Sequence, residues 1–560
     1  MRNHYQAFVK LTDKLIPAVL TFQDRDPGSP EYGMFLLPEK GFGEPGNCAN
    51  CADILLAAYY APESAYYQDP QMLSAAELYL DALLGVQHPD GTIDLRETNF
   101  HDATCAAFSI QVLGYTWKML EKRAGDSAAE NSVRQKLHLY LERAAHGMCT
   151  GGFHTPNHRW VLSSALSLCG NILHDEECFR QIGLYLAEGI DCDENGEFTE
   201  RSTGDYNIIN DRSLIIISQE TQRPELLEHV KRNLNMMYCY YEPDFTVFTL
   251  NSRRQDKDKR TVYPVRYYGS YLYMAMLTGD RKFAWMADKL LSLYEKGASA
   301  AASPLETYQN IGFVNYLSHY LGSDAVMSFE TELEEPSFDC ARFFRESNIV
   351  RMRSGDTSLT LMAKNPVFCV MQKGHAKVQL RMAASFYAKG VFCAPQIEEL
   401  GDGGYRLTYS YRWGYTRPFP NGSPTPVWDE MDHASREHVN MLTMEMEVLA
   451  HPLEGGGIRL ETSVNGVEQL PSYVELAFDG DGVLVTRDTV IDGTPGQSAI
   501  LTGGSAEYYC QGEKFSLSSQ YEGQQHAYTY GMRGGVPRRG YTFTVYLTAF
   551  GEARRVIEIR

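Results

Sequence analysis

The chain is 560 residues long, 44% of its residues are hydrophobic, and its formal net charge at pH 7 is -20. A chain of this length exceeds what one hydrophobic core usually supports, so we expect two large domains. The excess of negative charge argues against general binding to nucleic acid or to anionic membranes, because both require a basic surface.

Targeting and cysteine patterns point to an intracellular setting. No run approaches the ~20 apolar positions of a membrane-spanning helix, and the N-terminal MRNHYQAFVKLTDKL lacks the apolar segment of a signal peptide. We therefore expect a cytoplasmic protein. The 12 cysteines are scattered, which favours reduced thiols. Cys48 and Cys51 form a C-x-x-C without a second copy, so a helix start is favoured over a zinc or redox site.

The first half of the chain has the pattern of a helical domain. From Tyr5 to about Leu321, apolar residues recur at helical spacing in segments such as CADILLAAYYA, ATCAAFSIQVLGYTWKMLEKR and DRKFAWMADKLLSLYEKG. The loops QHPDGTIDLRETNFHD and DCDENGEFTERSTGD each place an Asp-Gly or Asn-Gly turn after one helix and a polar run before the next. Paired helices of this kind favour a toroid or solenoid of helical hairpins.

Helix-start signals recur on these loops. They are Asp102, Thr155-Pro156, the run from Ser202 to Asp205, and Ser303-Pro304. An inner ring of alternate helices would bring several of these starts to one cavity.

After about Ser323 the pattern changes to alternating apolar and polar residues with Gly, Asp and Asn at the turns. SLTLMAK, AKVQLRMAASF, GYRLTYSYRWGY and YTFTVYLTAFG are examples. This predicts an antiparallel β domain of stacked sheets, a β-sandwich. The fold class is therefore α+β, with a helical domain over residues 1–322 and a β domain over residues 323–560 that contributes to the ligand cleft.

The stretch HTPNHRW is the first candidate for chemistry. Thr155 can cap a helix whose first residue is Pro156, so that Asn157 and His158 fall in its first turn. Unpaired N–H groups there favour an anion and a neutral imidazole. A neutral imidazole can accept a proton, and an amide can hydrogen-bond a carboxylate. Capping by Asn157 and packing by His158 is the competing interpretation.

Two further clusters carry arginine and tyrosine. FTERSTGDYNIINDRS has Arg201 near Tyr206, where a cation favours the phenolate needed for proton transfer, although many of the 36 tyrosines serve packing. NSRRQDKDKRTVYPVRYYGSY is the best local basic patch of an acidic chain. Its candidate substrate contacts are Arg253, Arg254 and Arg266, with Tyr263, Tyr267 and Tyr268 able to stack on sugars.

Several histidines are weaker candidates. His375 follows a glycine at the start of a strand in VMQKGHAKVQLRMAASF, and His101 stands beside the capping Asp102. WDEMDHASREH gathers His433 and His438 with acidic residues, but its spacing fits no standard zinc motif, so a surface loop is favoured and no cofactor is expected.

Taken in chain order, Asn157-His158, Tyr206 and the glycine-flanked His375 resemble the heparinase II/III-like polysaccharide lyases and the related alginate lyases. The resemblance spans nearly the full length, but its motifs are short. It implies an incomplete (α/α)6 toroid followed by an antiparallel β-sandwich, and β-elimination across a 4-linked uronic acid, which leaves an unsaturated uronate.

The same resemblance implies roles for the candidates. Asn157, with Arg201 or Arg254, pairs the substrate carboxylate, because the C5 proton is barely acidic until that charge is neutralised. Tyr206 protonates the leaving oxygen and, depending on stereochemistry, also removes the C5 proton. His375 or His158 is the alternative base, and the other orients the uronate.

Three departures from the family bear on the substrate. Arg159 is an unusual neighbour of His158 and is a candidate substrate contact, we expect no secretion signal, and the net charge is negative. These features favour short, imported, less highly charged uronate oligosaccharides cleaved at an exolytic site, and a homo-oligomer is compatible with the sequence.

Two other functions compete. A toroidal glycoside hydrolase acting on uronate oligosaccharides would need two facing carboxylates at ~5 to 9.5 Å. Its candidates are Asp102, Glu200, Asp205 and Asp211. A carbohydrate-binding protein without turnover would keep the aromatic and arginine surface, and ranks third because the proton-transfer residues occur in the expected order.

Overall fold

The computed structural model describes residues 4–259, 265–312, 314–529 and 540–560. The chain forms two compact units, of which the first comprises Met1–Met237 and Ser252–Ser337 and the second Tyr238–Asn251 and Phe338–Arg560. The first is helical and the second is built of antiparallel strands, so the predicted fold class is confirmed. The functional domains 1–322 and 323–560 stay a prediction.

Within the described ranges the helices are α1 (His4–Thr21), α2 (Pro45–Tyr60), α3 (Pro70–Val86), α4 (Ala103–Arg123), α5 (Ala128–Thr150), α6 (Pro156–Leu173), α7 (Glu176–Ala187), α8 (Tyr206–Thr221), α9 (Leu227–Tyr240), α10 (Tyr268–Thr278), α11 (Arg281–Ala300), α12 (Pro304–Ile311), α13 (Leu317–Gly322) and α14 (Asp324–Met327). In this part of the chain, none of them has the length and apolar character needed to cross a bilayer.

Alternate helices of the first unit pack against one another in succession. α2 contacts α4, α4 contacts α6, α6 contacts α8, and α8 contacts α10. The intervening α3, α5, α7 and α11 pack on α2, α4, α6 and α10 respectively. Because each intervening helix carries the chain back, the starts of the alternate helices are brought together, as the loop pattern predicted.

Local signals fix where these helices begin. The Asp102 carboxylate accepts hydrogen bonds from the backbone N–H of Thr104 at 2.7 Å and of Cys105 at 3.3 Å, which caps α4. α6 starts at Pro156 as predicted, but the Thr155 side chain makes no cap bond. Its hydroxyl instead accepts from the side-chain amide of Asn157 at 3.3 Å.

The strands are β1 (Ile93–Leu95), β2 (Asn99–Asp102), β3 (Cys340–Phe344), β4 (Ile349–Ser354), β5 (Thr357–Met362), β6 (Cys369–Lys373), β7 (Ala376–Ala384), β8 (Ile397–Glu399), β9 (Tyr405–Thr416), β10 (His438–Leu453), β11 (Gly457–Asn465), β12 (Pro471–Asp479), β13 (Gly482–Thr486), β14 (Val490–Gly493), β15 (Ser498–Ile500), β16 (Gly504–Cys510), β17 (Glu513–Gln520), β18 (Thr542–Phe550) and β19 (Ala553–Ile559).

β1 and β2 form a small hairpin in the first unit, and the other strands form two sheets. One sheet has the order β14-β13-β16-β17-β19-β11-β10-β9-β8 and the other β15-β18-β12-β7-β6-β5-β4-β3. Neighbouring strands are antiparallel except β15 and β18, which pair in parallel. Residues from both sheets share one hydrophobic core, including Leu380, Leu476, Val448 and Leu460, so the sheets pack face to face.

The segment Tyr238–Asn251 is bound to the second sheet through a buried arginine. Arg351 on β4 is fully buried; its Nε donates to the Cys239 carbonyl at 3.1 Å and its Nη1 lies 3.1 Å from Glu242 Oε1. Glu242 also accepts a hydrogen bond from Ser358. A buried charge requires such a partner, so this pair attaches the segment to the sheet.

Candidate functional site

A cleft of about 490 Å³ lies in the first unit at the starts of α2, α4, α6 and α8. Arg254 and Gln255, from the loop after α9, and Arg266, just before α10, complete its lining. Each helix start presents the positive end of the helix dipole, although the first-turn N–H groups of α4 and α8 already donate to Asp102 and Ser202. The arrangement therefore favours an anionic ligand.

His158 lines this cleft from the first turn of α6. Burial lowers its pKa to about 4, and the positive charge of Arg254 acts in the same direction, while Asp102 opposes it. The imidazole is therefore neutral at pH 7. Its Nδ1 lies 3.1 Å from the hydroxyl of Thr104, which fixes the orientation of the ring.

Tyr206, the first residue of α8, is half-buried and lines the same cleft. Its backbone N–H donates to the Ser202 hydroxyl at 3.0 Å, and its phenol donates to Gln255 Oε1 at 3.2 Å. The guanidinium carbon of Arg254 lies 4.5 Å from the centre of its ring. A cation therefore sits against the phenol that the sequence singled out, although the partner predicted for it was Arg201.

Asn157 is fully buried and does not line the cleft. Its side-chain amide donates to both carboxylate oxygens of Glu200, at 3.0 and 2.9 Å. Glu200 Oε1 also lies 3.3 Å from Arg254 Nε. Burial raises the pKa of Glu200, while the Asn157 hydrogen bond and Arg254 act against that rise. Asn157 thus fixes the carboxylate of Glu200, which in turn positions the guanidinium of Arg254.

The remaining charges at the cleft are largely paired. Arg266 Nη1 lies 2.6 Å from Asp205 Oδ1. Asp102 is committed to capping α4 and to a hydrogen bond from the side chain of Asn99 at 2.9 Å. Glu44 accepts from the backbone N–H of Arg96 at 3.0 Å, and burial raises its pKa.

Two predicted contacts have structural partners away from the cleft. Arg159 lies 3.2 Å from Glu188 and 3.4 Å from Asp191, and it stacks over Trp160. Tyr267 is fully buried, and its hydroxyl donates to the Thr203 carbonyl at 3.0 Å. Arg159 therefore fixes the start of α6 against the loop after α7, and the ring of Tyr267 is not accessible to a ligand.

Three more predicted contacts do not line the cleft. Arg253 is exposed, and its backbone N–H donates to the Glu200 carbonyl at 3.0 Å. Arg201 has a positive φ of 50° in the turn before α8. His101 pairs with Asp90 at 2.8 Å and stacks on a neighbouring histidine, with 3.8 Å between the ring centres. Tyr263 lies outside the described residues.

His375 belongs to the second unit, at the turn between β6 and β7. Its side chain is 66% exposed and its Nδ1 lies 3.5 Å from Asp244 Oδ2. The preceding Gly374 has a φ of 51°, a conformation that favours glycine, and a Cβ there would lie 2.4 Å from Glu513. The glycine that drew attention to His375 is thus explained by the turn, and its role as a base stays a prediction.

Two of the four carboxylates of the hydrolase interpretation lie outside the cleft lining. Glu200 is held by Asn157 and Arg254, and Asp211 is fully buried with neither oxygen hydrogen-bonded within the described chain. Burial raises the pKa of Asp211 well above its usual range, which favours the neutral form of this carboxyl. Asp102 and Asp205 do line the cleft, one as a cap and the other paired with Arg266.

The residues considered as metal ligands, and the two cysteines of the C-x-x-C motif, have contacts that belong to the fold. His433 Nε2 lies 2.6 Å from the Trp428 carbonyl on an exposed loop. Among the residues that the structure describes, no group of three or more His, Cys, Asp or Glu could hold a metal ion. Cys48 and Cys51 are both fully buried within α2.

Sequence reasoning missed Thr104 and Gln255, which contact His158 and Tyr206. Both contacts join residues about fifty positions apart, and neither belongs to a recognisable motif. It also missed Arg212, an arginine in the otherwise apolar stretch RSLIIIS of α8. A charge within a buried helix was the available signal.

No protein-family model and no curated protein matches the sequence. Among solved structures, a Paenibacillus xanthan lyase matches with a TM-score of 0.57 at 9% identity over 99% of this chain; the chain spans 57% of that lyase. The chondroitin AC lyase of Streptomyces coelicolor A3, solved with chondroitin sulphate, matches at 0.53 with 10% identity over 100% of this chain and 79% of its own. Heparinase III matches at 0.53 with 9% identity, over 92% and 76% respectively. The predicted resemblance is confirmed at the level of fold.

Proposed function

We propose that the protein is a polysaccharide lyase that cleaves a 4-linked, uronic-acid-containing glycan by β-elimination and leaves an unsaturated uronate. The observation that carries this proposal is the stacking of Arg254 on Tyr206, in a cleft lined by helix starts. The fold shared with xanthan lyase, chondroitin AC lyase and heparinase III supports the same reaction class.

The first requirement of the reaction is to neutralise the uronate carboxylate. Arg254 lines the cleft with a planar, permanently charged guanidinium, which suits a carboxylate better than an ammonium does. The positive ends of the helix dipoles act on the same anion. Withdrawing negative charge from the carboxylate makes the neighbouring C5 proton acidic enough to remove.

The second requirement is proton transfer, for which we assign Tyr206 the main role. General acid–base catalysis works best when the pKa of the group is near the operating pH. The pKa of His158, lowered to about 4, leaves it neutral but a weak base. We therefore assign His158 to orienting the uronate, and Tyr206 to protonating the leaving oxygen and, where stereochemistry allows, to removing the C5 proton.

Asn157 acts in this proposal as a positioning residue. Its amide holds both oxygens of Glu200, and that carboxylate holds the guanidinium of Arg254 beside Tyr206. The chain of contacts sets both the position and the effective charge of Arg254. Asn157 thus contributes to binding the substrate carboxylate through Glu200 and Arg254.

The charges of the cleft suit a short uronate oligosaccharide of modest charge, cleaved from its end. Arg266 is paired with Asp205, and Glu44, Glu97 and Asp102 share the lining. These carboxylates would repel a densely sulfated substrate. They would not repel a substrate whose single carboxylate lies beside Arg254.

The test is an ultraviolet assay on alginate, hyaluronan, chondroitin, heparan, gellan and pectic oligosaccharides, because β-elimination creates a conjugated double bond. We expect absorbance to rise on at least one of them. Tyr206→Phe should lower that rate about 10²- to 10⁴-fold by removing the transferable proton.

The matched control is Tyr32→Phe, which removes a phenol that is 44% exposed and outside the cleft lining. This variant should retain the wild-type rate. Release of reducing sugar without new absorbance, together with full activity of Tyr206→Phe, would contradict the lyase proposal and favour a hydrolase.

A further inference from the structure

A second cavity of about 250 Å³ lies in the first unit beside the cleft. We call it the Arg212 cavity; α4, α8 and α10 form most of its walls. It shares Asn50, Phe108 and Arg266 with the cleft, so the two spaces adjoin. None of the residues assigned above to the proposed reaction lines it.

The Arg212 cavity is electropositive within an acidic protein. Its described lining contains Arg212 and Arg266 but no Asp or Glu, whereas the whole chain carries a net charge of -20. Arg266 is already paired with Asp205 at 2.6 Å. Arg212 forms no ion pair among the described residues, and its Nε is buried without a hydrogen-bond partner there.

Arg212 is nevertheless held in place. Its Nη2 donates to Gln111 Oε1. The amide nitrogen of Gln111 in turn donates to the hydroxyls of Ser164 at 2.6 Å and Ser213 at 2.8 Å. Because both amide protons are used, the carbonyl of Gln111 is fixed towards Arg212. The guanidinium is thus oriented by a buried network that contains no carboxylate.

An uncompensated charge in such a place is costly, because desolvation of an ion is offset only by a counter-charge or by hydrogen bonds. Burial lowers the pKa of Arg212 to about 10, which still leaves it protonated at neutral pH. A fixed cation facing a cavity whose described lining contains no Asp or Glu is the arrangement expected of an anion-binding site.

The walls and the volume narrow the class of anion. Phe108, Tyr115, Tyr273 and Tyr316 supply aromatic side chains, which suit the apolar face of a sugar ring. The volume lies below the ~300 to 1,000 Å³ of sites for drug-sized ligands. A ligand of one sugar ring is therefore favoured over an oligosaccharide.

We propose that the Arg212 cavity is a second binding site, which takes an acidic monosaccharide and pairs its carboxylate with Arg212. The site is separate from the proposed reaction in the cleft. Gln111 is its positioning residue.

The test is calorimetric titration of the full chain with glucuronate, galacturonate and mannuronate, with neutral glucose and inorganic sulfate as comparison ligands. We expect at least one uronate to bind more tightly than glucose or sulfate. Arg212→Gln should weaken that binding roughly tenfold or more, because a charge-assisted contact is lost. Since no turnover is measured, the result is independent of the ultraviolet assay.

Gln111→Glu provides a second variant. It places a carboxylate beside Arg212, in competition with the carboxylate of the ligand. It should abolish uronate binding while the thermal unfolding profile is kept. Arg180→Gln, which changes a 60% exposed arginine on α7, should bind as the wild type does.

Equal binding of glucose or of sulfate would overturn the proposal, as would the absence of binding by all three uronates. A loss of binding in Arg254→Gln as large as that in Arg212→Gln would assign the ligand to the cleft, and would equally overturn it.

Discussion

Two arginines, Arg351 in the second unit and the half-buried Arg212 in the first, differ in their partners. Arg351 in the second unit is fully buried and paired with Glu242, and it donates to a backbone carbonyl and a threonine hydroxyl. Arg212 in the first unit has an amide oxygen from Gln111 and no carboxylate among the described residues. Arg351 is supplied with a counter-charge by the chain itself. Arg212 is not, which agrees with the proposal that a ligand provides its counter-charge.

Removing the partner of Arg351 should have the largest effect on stability. Glu242→Gln would leave a buried guanidinium without its carboxylate, and breaking such a pair costs about 3 to 5 kcal/mol. Denaturant unfolding of the second unit should report this loss. Glu399→Gln is the matched control, because its pair with Arg345 is 46 to 68% exposed and such pairs contribute about 0 to 1 kcal/mol. Equal losses in the two variants would contradict the comparison.

The next effect concerns the buried, neutral His158. Its pKa is lowered to about 4 in the folded chain, against about 6.5 for an unfolded histidine. Between these values the unfolded state binds the extra proton, so stability falls as pH falls from about 6.5 to about 4, by roughly 3 kcal/mol in all.

His158→Gln should flatten that pH dependence, measured by unfolding at a series of pH values. The exposed His146 on α5 provides the control, since His146→Gln should keep the wild-type dependence. An unchanged profile in His158→Gln would show that the pKa of His158 is the same in the folded and unfolded chain.

Arg253 and Arg254 are adjacent in sequence, but only Arg254 lines the cleft, so the two residues allow a matched pair of variants. Arg254→Gln should lower the rate of elimination roughly 10²-fold, the usual result of removing one preorganised charge. Arg253→Gln, on an exposed side chain outside the cleft lining, should leave it unchanged. A larger loss of rate in Arg253→Gln than in Arg254→Gln would show that the substrate is bound by Arg253.

His158 and His375 remain alternative bases, and the same assay separates them. If Tyr206 is the main proton-transfer group, His158→Gln should raise KM more than it lowers kcat, as expected for a residue that orients the uronate. A fall in kcat in His375→Gln comparable to that in Tyr206→Phe would instead assign the base to His375.

The sequence was sufficient to predict the fold class and four residues that line the cleft, His158, Tyr206, Arg254 and Arg266. Hydrophobic periods of 3.6 and 2 are local properties, so the helical and β units could be read directly. His158 and Tyr206 were found because they stand at helix starts, and alternate helix starts converge. Those starts are signalled by Pro156 and by the polar run before α8.

The partners of these residues could not be predicted, because they depend on packing between distant segments. Asn157 meets Glu200 from 43 positions away, and this contact turns a predicted substrate ligand into a buried support. Tyr267 and Arg254 belong to one basic, tyrosine-rich stretch, yet one is fully buried and the other lines the cleft. Composition alone does not distinguish such neighbours.

The smallest expected effect is the most informative about the Arg212 cavity. If Arg212 served the fold, Arg212→Gln would destabilise the first unit as Glu242→Gln destabilises the second. Because its charge is desolvated without a counter-charge, we expect the free energy of unfolding to change by less than about 0.5 kcal/mol, or to rise. A saturating uronate should stabilise the wild type by mass action and leave Arg212→Gln unchanged. Thermal unfolding with and without uronate measures both quantities, and a large loss of stability in the absence of ligand would mean that the guanidinium supports the helices themselves.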